Sequence, residues 1–246
     1  MDKVINTNCP FTLTEYRSLI QLAKKRFPFI GYAEYKKHKS FILWRHDVEY
    51  NIDEMNVLAK IDFEEGIKST LYVQLHSICY NFWDKENSDI FKKWVSWGHE
   101  IGLHFDCGFH ENISESNIAG LIEYEKLILE KEFLVKIDSF SFHNPNPEIL
   151  KFKDNYAGLI NAYNDDIFNG DIIYVSDSNG RWREKTIRDV LEDKNVKKVQ
   201  VNTHDTWWTE QRIPQIQKLE NAFRREAEKK IKDYRDNAII TVDSII

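Results

Sequence analysis

Seven short runs dense in Val, Ile, Phe and Leu punctuate the chain, and between them lie longer stretches whose apolar positions recur every three or four residues. That rhythm predicts βα units around a mainly parallel sheet, because strands buried on both faces are continuous apolar runs and the helices covering them are stripes. The runs are FILWRHDV (41–48), STLYVQL (69–75), the 100–105 part of HEIGLHF, IDSFSFH (137–143), LINAY, DIIYVSD and KKVQVNTH, the last three ending near Tyr163, Asp177 and His204.

Between the first two runs, NIDEMNVLAKIDFEEG carries an imperfect stripe of Met55, Leu58, Ala59, Ile61 and Asp62 that stops at Gly66. A Trp-rich helix, IFKKWVSWG, closes at Gly98, with Trp94 and Trp97 as packing residues. A long helix is expected over 114–132, capped by Ser116, with Ile118, Leu121, Ile122, Leu127 and Leu129 as its apolar face. A last amphipathic helix is expected over 214–233, and IITV at 239–242 is either an edge strand or a docked tail. Residues 1–38 form a helical extension, and 1–246 is taken as one domain without repeats or linkers.

Hydrophobic residues make up 42% and charged residues 30% of the 246, enough apolar surface for a large core. The formal charge of -6, with Lys and Arg scattered among acids, leaves no basic face for a nucleic acid. A small-molecule or saccharide partner fits better, while the sequence is silent on oligomeric state. No run approaches the ~18 apolar residues of a membrane span. Cys9, Cys79 and Cys107 are odd in number and lack a CxxC pair, and the N-terminus lacks the order of a signal peptide, so a cytoplasmic location is expected.

Ligand sites in such folds lie at the carboxyl ends of the strands, and here those ends are unusually polar. Strand one ends on His46, Asp47 and Glu49, strand three on His104 and Asp106, strand four on His143 and Asn144, and the last on His204 and Asp205. Side chains alternate along a strand, so Asp47 shares a face with Glu49, and His104 with Asp106. Carboxylates and imidazoles converging from neighbouring strands suit a borderline divalent ion, and such an ion supports hydrolysis. Zinc is the first expectation, with cobalt, iron, nickel or manganese as alternatives. His99 precedes strand three and falls at the opposite end; His38, His76 and His110 are expected as solvated loop residues, although His110 could reach back. Trp207 and Trp208, directly after His204, are placed to stack on a sugar face, and Arg181 and Arg183 to hold an anionic group on the rim.

The segments WRHDVE, GIKSTLYV and GHEIGLHFD, in this order, resemble the polysaccharide deacetylase (NodB-homology, carbohydrate esterase family 4-like) superfamily over about 41–106. SFHNP and VNTHDTWW are similar to later segments of a divergent WbmS-type branch associated with surface-polysaccharide biosynthesis. The resemblance implies a distorted (β/α)7-type barrel and a metal-dependent hydrolase that removes an N-acyl group, acetyl or formyl, from a sugar or sugar-nucleotide. It implies Asp47 as general base, His204 as general acid, and Glu49 and His104 as metal ligands, although Val48 separates Asp47 from Glu49 and leaves open which of them binds metal; Asp106, Trp207, Trp208 and Arg183 are expected to face substrate. The family's usual second histidine, four residues after the first, is replaced by Gly108. Either His143 or Asp106 is expected to supply that ligand, with His143 preferred. The same scaffold also serves ring amide or ureido bonds, and without its metal it would be a carbohydrate-binding protein.

Overall fold

The structure is a computed structural model and describes residues 11–237. Seven strands, β1 (Phe41–Val48), β2 (Thr70–Val73), β3 (Glu100–Asp106), β4 (Ser139–His143), β5 (Ile160–Asn161), β6 (Ile173–Ser176) and β7 (Lys198–His204), form one sheet in the order β5-β4-β3-β2-β1-β7-β6. Every pairing is parallel. The sheet curls into a distorted (β/α)7 barrel that is open between its edge strands β5 and β6. Strand order reverses between β1 and β7, so the crevice beside their carboxyl ends is where a ligand site belongs.

The helices are α1 (Leu13–Lys24), α2 (Ile52–Glu64), α3 (Lys85–Ser96), α4 (Ile118–Phe133), α5 (Asp165–Phe168), α6 (Ile187–Glu192) and α7 (Gln215–Asn237). Their ends follow local chemistry. The side chains of Thr12, Asn51 and Asp84 accept backbone N–H bonds in the first turns of α1, α2 and α3. Gly66 and Gly98, with φ of 70° and 88°, carry the chain out of α2 and α3 in the left-handed region that glycine tolerates. The expected cap on α4 is different: Asn117, not Ser116, stands at the cap position, and it makes no side-chain capping bond. The Trp-rich helix also starts earlier than its apolar stripe shows, at Lys85, because Asp84 caps a polar first turn. LINAY contributes only the two paired residues Ile160–Asn161. The IITV segment at 239–242 lies outside the described residues.

β1 is buried along its whole length, so the direction of each side chain is told by its partners. Ile42, Trp44 and Val48 join the large core under the helices, whereas Phe41 and Leu43 join a smaller cluster with Tyr32, Tyr72, Ala162 and Ile167 on the concave side. His46 goes with the helix side: its Nε2 is 2.8 Å from Asp62 of α2 and its Nδ1 is 2.7 Å from Thr203 Oγ1. Tyr16 of α1 donates to Asp62 at 2.7 Å and accepts from Trp44 Nε1 at 2.9 Å. Asp62 is therefore a buried partner at a position the apolar stripe included, and His46 belongs to packing instead of the strand-end site. No helix among the described residues is long and apolar enough to cross a membrane.

Candidate metal and hydrolytic site

Alternation on β1 sends Arg45, Asp47 and, one residue past the strand, Glu49 to the concave face. Tyr72 of β2, His104 of β3, Ser141 and His143 of β4 and Asn202 and His204 of β7 meet them there, and the register pairs Asp47 with both Tyr72 and His204. The deeper layer is aromatic around a cation. Arg45 is fully buried, 5.3 Å from the ring centres of Tyr72 and Tyr163 and 5.9 Å from that of Tyr174. Gly102 makes room for this layer, since a Cβ there would lie 2.5 Å from the Tyr72 ring.

Above that layer Arg45 Nη2 donates to Asp47 Oδ2 at 3.0 Å and Asn202 Nδ2 donates to the same oxygen at 2.9 Å, while buried Asp47 Oδ1 has no hydrogen-bond partner among the described residues. Burial pushes the Asp47 carboxyl up, but the Arg45 guanidinium and the imidazoles of His104 and His204 outweigh it and leave the group below the ordinary aspartate value.

Glu49 Oε1 is 3.2 Å from His104 Nε2 and 3.1 Å from His143 Nδ1, and the two nitrogens are 3.3 Å apart. Burial raises the Glu49 carboxyl, yet the charge of His204 and the bonds from His104 and His143 hold it well below the usual glutamate range. These three atoms form a nearly equilateral triangle. Ligands about 2.0–2.2 Å from a tetrahedral zinc-class ion stand about 3.3–3.6 Å from one another, so the donor set fits such an ion by type and, with a small opening of the triangle, by spacing. His104 Nδ1 has no hydrogen-bond partner among the described residues. The site opens to solvent at His143, whose side chain is 26% exposed, whereas that of His104 is fully buried.

His204 completes the group, with Nε2 3.9 Å from both Asp47 Oδ2 and Glu49 Oε1. Its Nδ1 is 2.6 Å from Asp177 Oδ1, and buried Asp177 also accepts from Trp208 Nε1 at 2.6 Å. Burial lowers the imidazole, but Glu49, Asp177 and Asp47 together push it up to about 10, so it is an imidazolium whose Nε2–H points at the cleft. Asp177 was visible in the sequence only as the residue closing DIIYVSD. Its partnership depends on the β6–β7 register, which places Ser176 beside Asn202.

The remaining candidates lie elsewhere. Asp106 is outside the triangle: its Oδ2 accepts from Gln74 at 2.8 Å and its Oδ1 from the Gly108 amide at 2.8 Å. Gly108 sits in that exposed turn, so the triangle's second imidazole is His143. Trp207 and Trp208 are 5% and 3% exposed, which overturns the expectation of an open stacking face. Adjacent aromatics after a strand can both turn inward, and here Trp208 packs on Phe11 and Tyr16 while Trp207 packs on Tyr50. Arg183 is exposed in the loop before α6. His99 is buried at the amino end of β3, bonded to the Ala59 carbonyl at 2.9 Å, as its position predicts. His76 and His110 are not solvated loop residues: both reach buried Glu125 of α4.

No family model and no curated protein sequence matches the chain. Among solved structures, a carbohydrate esterase family 4 (CE4) pseudoenzyme from Bacillus anthracis has a TM-score of 0.48 at 14% identity, covering 78% of this chain and 62% of its own. The Streptococcus pyogenes deacetylase PplD, in complex with acetate, has a TM-score of 0.45 at 14% identity, covering 74% of this chain and 85% of its own. The chitin deacetylase of Colletotrichum lindemuthianum has a TM-score of 0.43 at 16% identity, covering 75% and 81%. The chain thus spans under two thirds of the length of the pseudoenzyme and most of the length of the other two. At such values no residue role is carried across, and what the site can do is set by its own atoms. The solved structures that the chain resembles thus include a CE4-family pseudoenzyme and two deacetylases.

Proposed function

We propose that this protein is a metal-dependent hydrolase that removes an N-acyl group, acetyl or formyl, from an amino sugar or sugar-nucleotide. The observation that supports this reading is the Glu49–His104–His143 donor triangle set directly beside an unpartnered carboxylate oxygen and an oriented imidazolium. The three residues would hold a divalent ion, zinc before cobalt, iron, nickel or manganese. Such an ion, when bound, supplies a Lewis acid that polarises an acyl carbonyl and acidifies water beside it.

The chain's own residues then divide the proton work. Asp47 is ionised at neutral pH, and its Oδ2 is fixed by Arg45 and Asn202. Oδ1 keeps its lone pairs free to take the proton of a water attacking the carbonyl. His204 holds a proton at Nε2, kept in orientation by Asp177, and delivers it to the departing amine nitrogen as the C–N bond breaks. The attack and protonation steps thus use groups on β1 and β7 that face one another across 3.9 Å. Substrate enters over half-buried His143, and Arg183 and Asp106 are proposed to contact it.

A role in cytoplasmic surface-polysaccharide biosynthesis, and a place in the WbmS-type branch, are part of the proposal. The test is amine release from acylated amino sugars and their nucleotide conjugates, with and without a chelator, for the parent protein and for Asp47→Asn and His104→Ala. The reading expects release that chelation abolishes and zinc restores, with a loss of about 10²-fold or more in each variant. Release unaffected by chelation and by both substitutions contradicts it.

A further inference from the structure

Outside the concave face, three more metal-ligating side chains meet. His76 lies in the loop after β2 and His110 in the loop after β3, while Glu125 stands on the inner face of α4 with Ile118, Ile122 and Leu129. His110 Nε2 is 2.5 Å and His76 Nε2 3.3 Å from Glu125 Oε1. This pocket is separate from the donor triangle. His110 stacks on Phe105 at 4.8 Å, and Phe105 belongs to the core under the helices, whereas its neighbour His104 faces the concave side.

Two features distinguish the trio from an ordinary buried hydrogen bond. The Glu125 side chain is wholly buried, yet among the described residues its Oε2 has no partner, and His76 Nε2 makes no aligned hydrogen bond despite its proximity. A buried carboxylate oxygen without a donor costs roughly 1–3 kcal/mol, and native folds rarely leave one without a use. Both rings are also held in place: His76 lies flat on Phe109 at 3.5 Å, and His110 on Phe105.

We propose that His76, His110 and Glu125 form a second binding site for a divalent transition-metal ion of the zinc class. Two imidazole nitrogens and a carboxylate are a common three-protein-ligand set for zinc, and all three ligand atoms here lie within 4.8 Å of one another. The His76–Glu125 spacing already matches tetrahedral ligands, and His110 and Glu125 need to separate by under about 1 Å to admit the ion. The His76 side chain is 23% exposed, which provides the entry path and the fourth, water-accessible position. The bound ion ties the loops after β2 and β3 to α4, adjacent to the rim of the concave site.

The test is stoichiometric and does not depend on any activity. Metal-free protein is titrated with Co²⁺, bound ion is counted, and the visible bands are recorded for the parent, Glu125→Gln, His76→Ala/His110→Ala and His104→Ala. Glu125→Gln is nearly isosteric and removes a buried acid, so its fold is retained; circular dichroism checks the double variant. The doubly substituted protein is expected to bind one equivalent less than the parent and Glu125→Gln to bind at least tenfold more weakly, while His104→Ala keeps this ion and its bands. If the concave triangle holds no metal at all, the parent binds one ion and the double variant none, so the two readings fail separately. A double variant that binds as many equivalents as the parent overturns the proposal.

Discussion

Asp177 is a residue whose removal separates a positioning role from simple packing. In Asp177→Asn the side-chain shape is kept, but one of two acceptors becomes an N–H₂ group. Asp177 now receives Nδ1–H of His204 at 2.6 Å on one oxygen and the Trp208 indole N–H at 2.6 Å on the other, so an Asn can satisfy only one of them. Charge-assisted bonds are worth about 1.5–3 kcal/mol each, and leaving a buried donor unpaired adds a cost of similar size. Because Asn retains one acceptor, the expected loss is about 2–4 kcal/mol. Urea unfolding of the metal-free protein should show a lower midpoint with the same denaturant slope, since the surface exposed on unfolding is unchanged. In the amine-release assay kcat should fall about 10²–10⁴-fold with KM changed less than about threefold, as expected when an acid loses its orienting partner. A stability loss under about 0.5 kcal/mol together with an unchanged kcat would refute the assignment of Asp177 as the group that holds His204.

Trp208→Phe keeps most of the packing but removes the indole N–H from Asp177, and urea unfolding should report a loss of about 1–2 kcal/mol; no change means that bond is idle. Gly102→Ala forces a Cβ to 2.5 Å from the buried Tyr72 ring, for a thermal-unfolding penalty of about 1–3 kcal/mol, and parent-like stability would show the Arg45 layer to be loosely packed. The pH dependence of the metal-free protein has a definite sign. Burial and the charge of Asp106 raise Glu125 from 4.5 to about 8, so between those values the folded state binds more protons and stability falls as pH rises. The burial-lowered imidazoles of His76 and His110 act oppositely, but only below their ordinary 6.5; in the range from there to about 8 the raised His204 and, up to about 7, Asp205 act in the same direction as Glu125, so the Glu125 part is the difference that Glu125→Gln removes. Urea midpoints across that range should decline more steeply in the parent than in Glu125→Gln, and equal slopes contradict the raised carboxyl.

Much of the barrel was legible because its strands are buried on both faces and so stand out as apolar runs; FILWRHDV corresponds to β1 residue for residue. Gly66 and Gly98 ended their helices as a left-handed exit requires. The concave site was legible in part for the same reason: alternation alone places Asp47 with Glu49, and Arg45 could have been added by continuing the alternation two residues back. What escaped was set by register between distant strands. Nothing local ties Asp177 to His204, 27 positions apart, until β6 and β7 pair. Trp207 and Trp208 escape because their place directly after His204 does not tell which way their rings turn, and the turn after β7 buries both. Glu125 carried a usable signal, since it lies three residues after Ile122 and four before Leu129 and so falls on the inner face of α4, but its charge masked that position.

The central claim is that Glu49, His104 and His143 hold a divalent ion beside Asp47 and His204. An anomalous difference map from a crystal grown with Zn²⁺ and recorded at the zinc edge tests it most directly. The account predicts a peak about 2.0–2.2 Å from Glu49 Oε1, His104 Nε2 and His143 Nδ1. A map with no density between those three atoms, from protein saturated with zinc, would contradict it.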